Sequence, residues 1–248
     1  SITPDALIAA AQAVAARTGG PLGRGGPSLA PVVDGAVLPN DPFTPAAPAL
    51  GKDIPVLVGA NKDEMTLFLA RQPWFGSVTE QQLAQFAPMI GGAKALPLIE
   101  ALRKTRPGYS PSHLAAAAAS WAGLLGDSVV LADRKAEQGG APVYSYRLDW
   151  ETPIGDGVLK SPHGLEIPLV FDNVERSRVF VGPGEAPQRL ADLMSAAWVA
   201  FARTGDPNAP GLPRWPRYET ATRPTMIFDL PPRVVNDPEG EVRAIHQA

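Results

Sequence analysis

The chain has 248 residues, with 22 basic against 25 acidic side chains and a formal net charge of −3, a near-balance that excludes a basic nucleic-acid binder of the usual kind. Hydrophobic residues make 45% and charged residues 19%, ordinary values for a folded globular protein, and a chain this long can bury roughly three-quarters of its unfolded surface. The absence of cysteine excludes disulfides, thiol nucleophiles and thiolate metal sites, and leaves the redox compartment, cytoplasmic or secreted, open.

The 28 prolines and 24 glycines lie between periodic apolar segments, so loops occupy much of the chain. A first helix is predicted from Pro4 to Arg17, ended by Gly19-Gly20-Pro21. Residues before it carry no basic leader. A long proline- and glycine-rich connection follows, from Pro21 to Ala49, and structureless loops of that length are uncommon inside compact domains. Ile54 to Gly59 is a short apolar run of the kind that forms a strand buried on both faces. Thr79 with Gln82 spells a capping box for a helix towards Ala87, and another helix is expected from Gly92 to Arg103. Ser110-Pro111 reads as an N-cap opening one long helix to Glu137, stopped by Gly139-Gly140. No apolar run is read as approaching the roughly 20 residues of a membrane span.

Val143 to Leu148 reads as a strand, and Pro187 to Arg203 as a helix with Leu190, Leu193, Met194, Ala197 and Phe201 along one core-facing stripe. Thr225 to Phe228 is a late strand. Strands alternating with helices predict α/β architecture with a mostly parallel central sheet flanked by helices. No internal repeat or linker is visible, so residues 1–248 are expected to form part of a single domain without an internal boundary.

Two clusters can carry chemistry. Gly59-Ala60-Asn61-Lys62-Asp63-Glu64 ends the buried strand in a polar turn with two adjacent acids, and in open α/β sheets functional groups collect beyond the carboxyl ends of strands. Taken alone, such acids are more often solvated loop residues. In Ser161-Pro162-His163-Gly164-Leu165-Glu166 an imidazole sits on a sharp turn, the rigid presentation a general base needs. Taken alone, a loop histidine is more often a plain surface residue. His113, near a helix start, and His246, at the terminus, read as structural or solvated.

The clusters together resemble the type B carboxylesterase family, the α/β-hydrolases that include cholinesterases and bacterial para-nitrobenzyl esterases. The first resembles that family's triad-acid motif, and Pro162 to Pro168 with Val170-Phe171 its histidine motif. Pro31 to Gly35 with Leu38-Pro39, Trp198 to Phe201, Arg203 to Asn208, Trp215-Pro216 and Met226 to Asp229 match further motifs in the same order. The resemblance implies an α/β-hydrolase fold, with Glu64 as triad carboxylate and His163 as general base. It also implies Glu166 as a supporting carboxylate, whose plainer role is a structural anchor, and places Leu67 and Phe68 along the substrate gorge, where core packing explains them equally well. Neither metal nor cofactor is implied.

The family's nucleophile belongs to a G-x-S-x-G elbow that precedes acid and histidine. No serine here has glycine on both sides; Ser28 and Ser128 fail at the second glycine, and Gly23 to Gly26 does not resemble the oxyanion loop. The expectation is therefore the C-terminal portion of one carboxylesterase domain, with nucleophile, oxyanion hole and first sheet strands upstream of Ser1. That portion would be inactive alone, require its N-terminal half as partner, and act with it on a small-molecule carboxylic ester, without nucleic acid or a membrane span. The competing expectation is a non-catalytic cholinesterase-like binding or adhesion domain, against which the retained acid and base argue; a degenerate product without function is a third.

Overall fold

The computed structural model describes residues 2–18 and 31–248, so Gly19-Gly20-Pro21, the glycine run 23–26 and Ser28 lie outside the described residues. The elements are, in order, α1 (Pro4–Thr18), β1 (Val56–Asn61), α2 (Thr66–Leu69), α3 (Glu80–Gly91), α4 (Ala95–Thr105), α5 (Pro111–Trp121) and α6 (Leu124–Glu137). They continue with β2 (Val143–Leu148), α7 (Glu166–Val170), α8 (Arg178–Val181), α9 (Ala186–Thr204), β3 (Pro224–Phe228), β4 (Arg233–Asn236) and α10 (Gly240–Gln247).

The chain divides into two compact units, Ser1–Thr44 and Pro45–Ala248, at a point within the predicted proline-rich connection. In the first unit, Thr3 Oγ1 accepts the Ala6 N–H at 3.3 Å and so caps α1. Asp34 accepts the N–H groups of Ala36, Val37 and Leu38, which lowers its pKa and folds the Asp34-Gly35 segment into a side-chain-braced turn.

In the second unit β1 and β2 pair in parallel, from Val56 opposite Val143 to Asn61 opposite Leu148. Strand β3 adds in parallel beside β2, and β4 adds antiparallel beside β3. The order β1-β2-β3-β4 gives the mostly parallel sheet expected. Strand β4 was not anticipated: four residues with polar ends, Arg233 and Asn236, following two prolines, carry too little pattern. The register needs Gly59, because a Cβ there would lie 2.2 Å from the Tyr146 carbonyl oxygen on β2.

Alternation along β2 sends Tyr144, Tyr146 and Leu148 to one face, where they pack with Leu190, Met194 and Ala197 of α9 and with Trp215, Met226 and Phe228. Tyr146 and Trp198 meet edge-on at 4.9 Å, Trp215 and Phe228 at 5.6 Å. Such aromatic pairs are worth ~0.5–1.5 kcal/mol each beyond their burial. A second core joins α3, α4 and α5 through Leu83, Leu98, Ile99, Leu102, Leu114 and Trp121. The capping box forms as predicted: Thr79 Oγ1 accepts the Gln82 N–H, and Gln82 Oε1 accepts the Thr79 N–H.

The single helix expected from Ser110 to Glu137 is in fact two. Gly123 leaves the helical region at φ −142°, ψ −119°, so α5 packs with α3 and α4 while α6 turns to cover β1 and β2. A lone glycine in an apolar run is a weak stop signal, and packing decided the break. By length and composition alone Pro111–Glu137 is long and apolar enough to cross a membrane, more than the sequence reading allowed. Leu114 to Ala119 and Trp121 are buried within the protein.

Candidate active site

The carboxyl ends of β1 and β2 release two turns that the backbone sews together. Lys62 N–H donates to the Leu148 carbonyl at 2.9 Å and Asp63 N–H to the Ser161 carbonyl at 3.0 Å. Ser161 Oγ donates to the Leu148 carbonyl, and Thr66 Oγ1 to the Leu159 carbonyl. Gly164 closes the second turn at φ +79°, a left-handed conformation that glycine adopts without cost to a Cβ. The result brings His163 to Glu64: its N–H donates to the Glu64 carbonyl at 3.3 Å, and its Nδ1 lies 2.6 Å from Glu64 Oε2. The two are 99 residues apart in sequence.

Glu64 is buried, its side chain 6% exposed, whereas the His163 side chain is 45% exposed. Burial raises the Glu64 pKa, opposed by hydrogen bonds from the Asn61 N–H and from His163. The Asn61 N–H donates to Glu64 Oε1 at 2.7 Å, leaving Oε2 for the imidazole. With Nδ1 engaged, His163 Nε2 has no hydrogen-bond partner among the described residues. Glu166 is half-buried, and its Oε2 accepts from Asn61 Nδ2 at 2.5 Å. The Phe68 ring stands 5.5 Å from the imidazole and is exposed, while Leu67 is half-buried beside it in sequence.

The other acid of the turn faces elsewhere. Asp63 is fully buried and accepts from Arg106 Nη1 at 2.8 Å and from the Tyr109 hydroxyl at 3.1 Å. Arg106 in turn donates through Nε and Nη2 to Glu239, which also accepts from Arg147 and from the Trp121 indole. Burial works against the charge on Arg106, but Glu239 and Asp63 outweigh it and raise its pKa. Burial likewise opposes ionisation of Glu239, yet Arg106 and Arg147 hold its pKa far below the usual carboxylate range.

His113 and His246 stay apart from this site. His113 Nε2 is bonded to the Val158 carbonyl and its Nδ1 to Ser110 Oγ, and His246 lies against the Trp121 ring, its pKa lowered by burial. Sequence reasoning overlooked Asn61 and Arg106. Asn61 stood in the quoted motif, three residues before Glu64, the spacing of a turn that folds a carboxylate back onto its own strand; Arg106 had no signal.

A mostly parallel sheet flanked by helices, with polar turns at the carboxyl ends of its strands, is the architecture of an α/β-hydrolase fold. Solved relatives agree: a carboxylesterase of Geobacillus stearothermophilus superposes with a TM-score of 0.74 at 33% identity, covering 88% of this chain and 45% of that one. A para-nitrobenzyl esterase structure gives 0.70 at 28%, covering 99% and 49%. The chain belongs to the carboxylesterase family, whose model matches residues 22–243. Its curated relatives include a para-nitrobenzyl esterase of Bacillus subtilis, 32% identical over 216 residues, and a phenmedipham hydrolase of Pseudarthrobacter oxydans, 29% identical over 222. Each alignment covers 86% of this chain but 42% and 41% of the relative, respectively, so the chain spans less than half the length of these relatives.

Proposed function

We propose that this chain contributes the acid and base of a serine carboxylic-ester hydrolase, Glu64 and His163 of a Ser-His-Glu triad whose nucleophile and oxyanion hole lie outside these 248 residues. The observation that carries the reading is the bond between Glu64 Oε2 and His163 Nδ1, 2.6 Å long. A carboxylate on Nδ1 holds the tautomer in which Nε2 can take a proton, and it stabilises the imidazolium that results. The serine hydroxyl would then attack the ester carbonyl carbon as Nε2 takes its proton. Collapse of the tetrahedral adduct breaks the bond to the alcohol, which leaves with that proton, and water repeats the sequence on the acyl-serine. The substrate is a small-molecule carboxylic ester, as the relatives' names suggest.

The nucleophile-bearing partner is the N-terminal half of the same domain. Two surface features support this: β1 pairs only with β2 among the described residues, and Ile54, Phe86, Met89, Leu96 and Leu124 stand exposed. Purified alone, the chain should give no saturable turnover of a nitrophenyl ester. Mixed with a half carrying a serine elbow, it should restore turnover that disappears in His163→Gln. Turnover by the chain alone, or restored turnover indifferent to His163, overturns the proposal.

A further inference from the structure

Asn61 closes β1 opposite Leu148 and is completely buried. Its backbone N–H donates to Glu64 Oε1 at 2.7 Å. Its side-chain Nδ2 donates to the Pro162 carbonyl at 2.7 Å, across 101 residues, and to Glu166 Oε2 at 2.5 Å. One residue thus grips the acid, the carbonyl just before the histidine and the carboxylate three residues beyond it. The two acceptors fix which way the amide points, because only an NH₂ can face both. The strand ladder is made by backbone groups and needs no amide here, and a buried amide is costly unless bonded. The amide's two bonds, both from Nδ2, run to the segment that carries His163, its Oδ1 being buried without a partner among the described residues, while the backbone N–H holds Glu64.

We propose that Asn61 is a positioning residue, a clamp that sets the distance between Glu64 and His163 without touching substrate; the inference rests on reading these two as acid and base. Aspartate would keep the shape but turn an acceptor towards Pro162 and a like charge towards Glu166. Serine would fall short of both while leaving the backbone donor to Glu64 in place.

Histidine labelling makes the test direct, since the chain has three imidazoles, His113, His163 and His246. In the [15N]histidine-labelled chain the Glu64-bonded Nδ1–H of His163 should appear as a strongly deshielded proton, assigned by its loss in His163→Gln. In Asn61→Ser and Asn61→Asp it should move upfield or vanish into exchange, with the signals of His113 and His246 unmoved. An unchanged His163 proton in folded Asn61→Ser overturns the clamp, and so does a common broadening of all three signals, the mark of a merely structural role. Should Asn61→Asp fail to fold, Asn61→Ser decides. In the ester-hydrolysing assembly, Asn61→Ser should lower kcat roughly 10- to 100-fold with KM little changed; a loss carried by KM alone overturns the proposal. An assembly without ester activity whose His163 proton still depends on Asn61 supports the clamp and sinks the functional reading instead.

Discussion

Asp63 and Glu64 are neighbours in sequence, both are buried, and both follow the same strand, yet they serve opposite surroundings. Asp63 is sealed against Arg106, whose side chain has no exposure, and continues into a cluster with Glu239, Arg147 and Trp121. Its counter-charge is a guanidinium, protonated at any ordinary pH. Glu64 faces the His163 imidazole, whose side chain is nearly half exposed. The contrast teaches that a turn can anchor itself with one carboxylate and direct the next towards a partly exposed imidazole. What separates them is the partner each one meets, a fully buried guanidinium in one case and a partly exposed imidazole in the other.

The largest expected effect breaks the comparison on the imidazole side. In an assembly that hydrolyses esters, Glu64→Gln should lower kcat by about 10³- to 10⁴-fold if Glu64 acts as proposed, the loss expected for an orienting carboxylate of a serine–histidine–acid triad. Its melting temperature should not fall, because Gln keeps an acceptor and removes a buried charge. Single-turnover kinetics beside a melting curve check both halves. On the sealed side, Arg106→Ala leaves two buried carboxylates short of a cation and should cost about 3–5 kcal/mol, the range for one-sided removal of a buried ion pair. Urea unfolding measures it, and a loss below about 1 kcal/mol, the level of an exposed pair, would remove the distinction drawn here.

A smaller effect reaches both sides at once. Gly59→Ala forces a methyl against the Tyr146 carbonyl and should cost about 1–3 kcal/mol by overpacking, with the Glu64–His163 bond lengthened because β1 must move from β2. Thermal unfolding with the histidine proton spectrum reports the two together.

The smallest effect is one of sign. Glu239 has a lowered pKa in the folded protein, so the unfolded chain binds more protons between the two values. Its stabilisation is full above the ordinary carboxylate pKa and is lost only as pH falls through the folded value. Glu64 has a raised pKa, so the folded chain binds more protons just above the ordinary carboxylate range, and stability from this group falls as pH rises through that window. Urea midpoints across acid to neutral pH should therefore show Glu239→Gln weakest against the parent at neutral pH, its deficit shrinking in acid. Glu64→Gln should instead gain on the parent as pH rises.

Much of this was legible in the sequence where local pattern and tertiary demand coincide. Thr79 and Gln82 form their capping box wherever the helix is placed, and the α9 stripe from Leu190 to Ala197 meets the sheet because spacing alone puts those side chains on one face. The strand Val143–Leu148 emerged at its observed limits. Its alternation did not reveal that Arg147, on the polar face, is half-buried between Asp149 and Glu239. Gly123 gave no sign that it would split a helix, since an isolated glycine is tolerated in either state and only the packing of α5 and α6 on different neighbours chose between them.

The acid and the histidine were named from motifs, and the sequence by itself determined which residue types stand at the ends of which strands. The resemblance picked Glu64 from the two adjacent carboxylates, which the residues alone did not; what brings Glu64 and not Asp63 to the imidazole is the tertiary structure. The reason is geometric: successive residues of a turn point to different sides, and the partners waiting there, Arg106 and His163, come from segments 43 and 99 residues further along the chain. Asn61 belongs to the same class of fact. Its three bonds, two of them to a turn about a hundred residues distant, exist only because the sheet sets β1 beside β2 in one register.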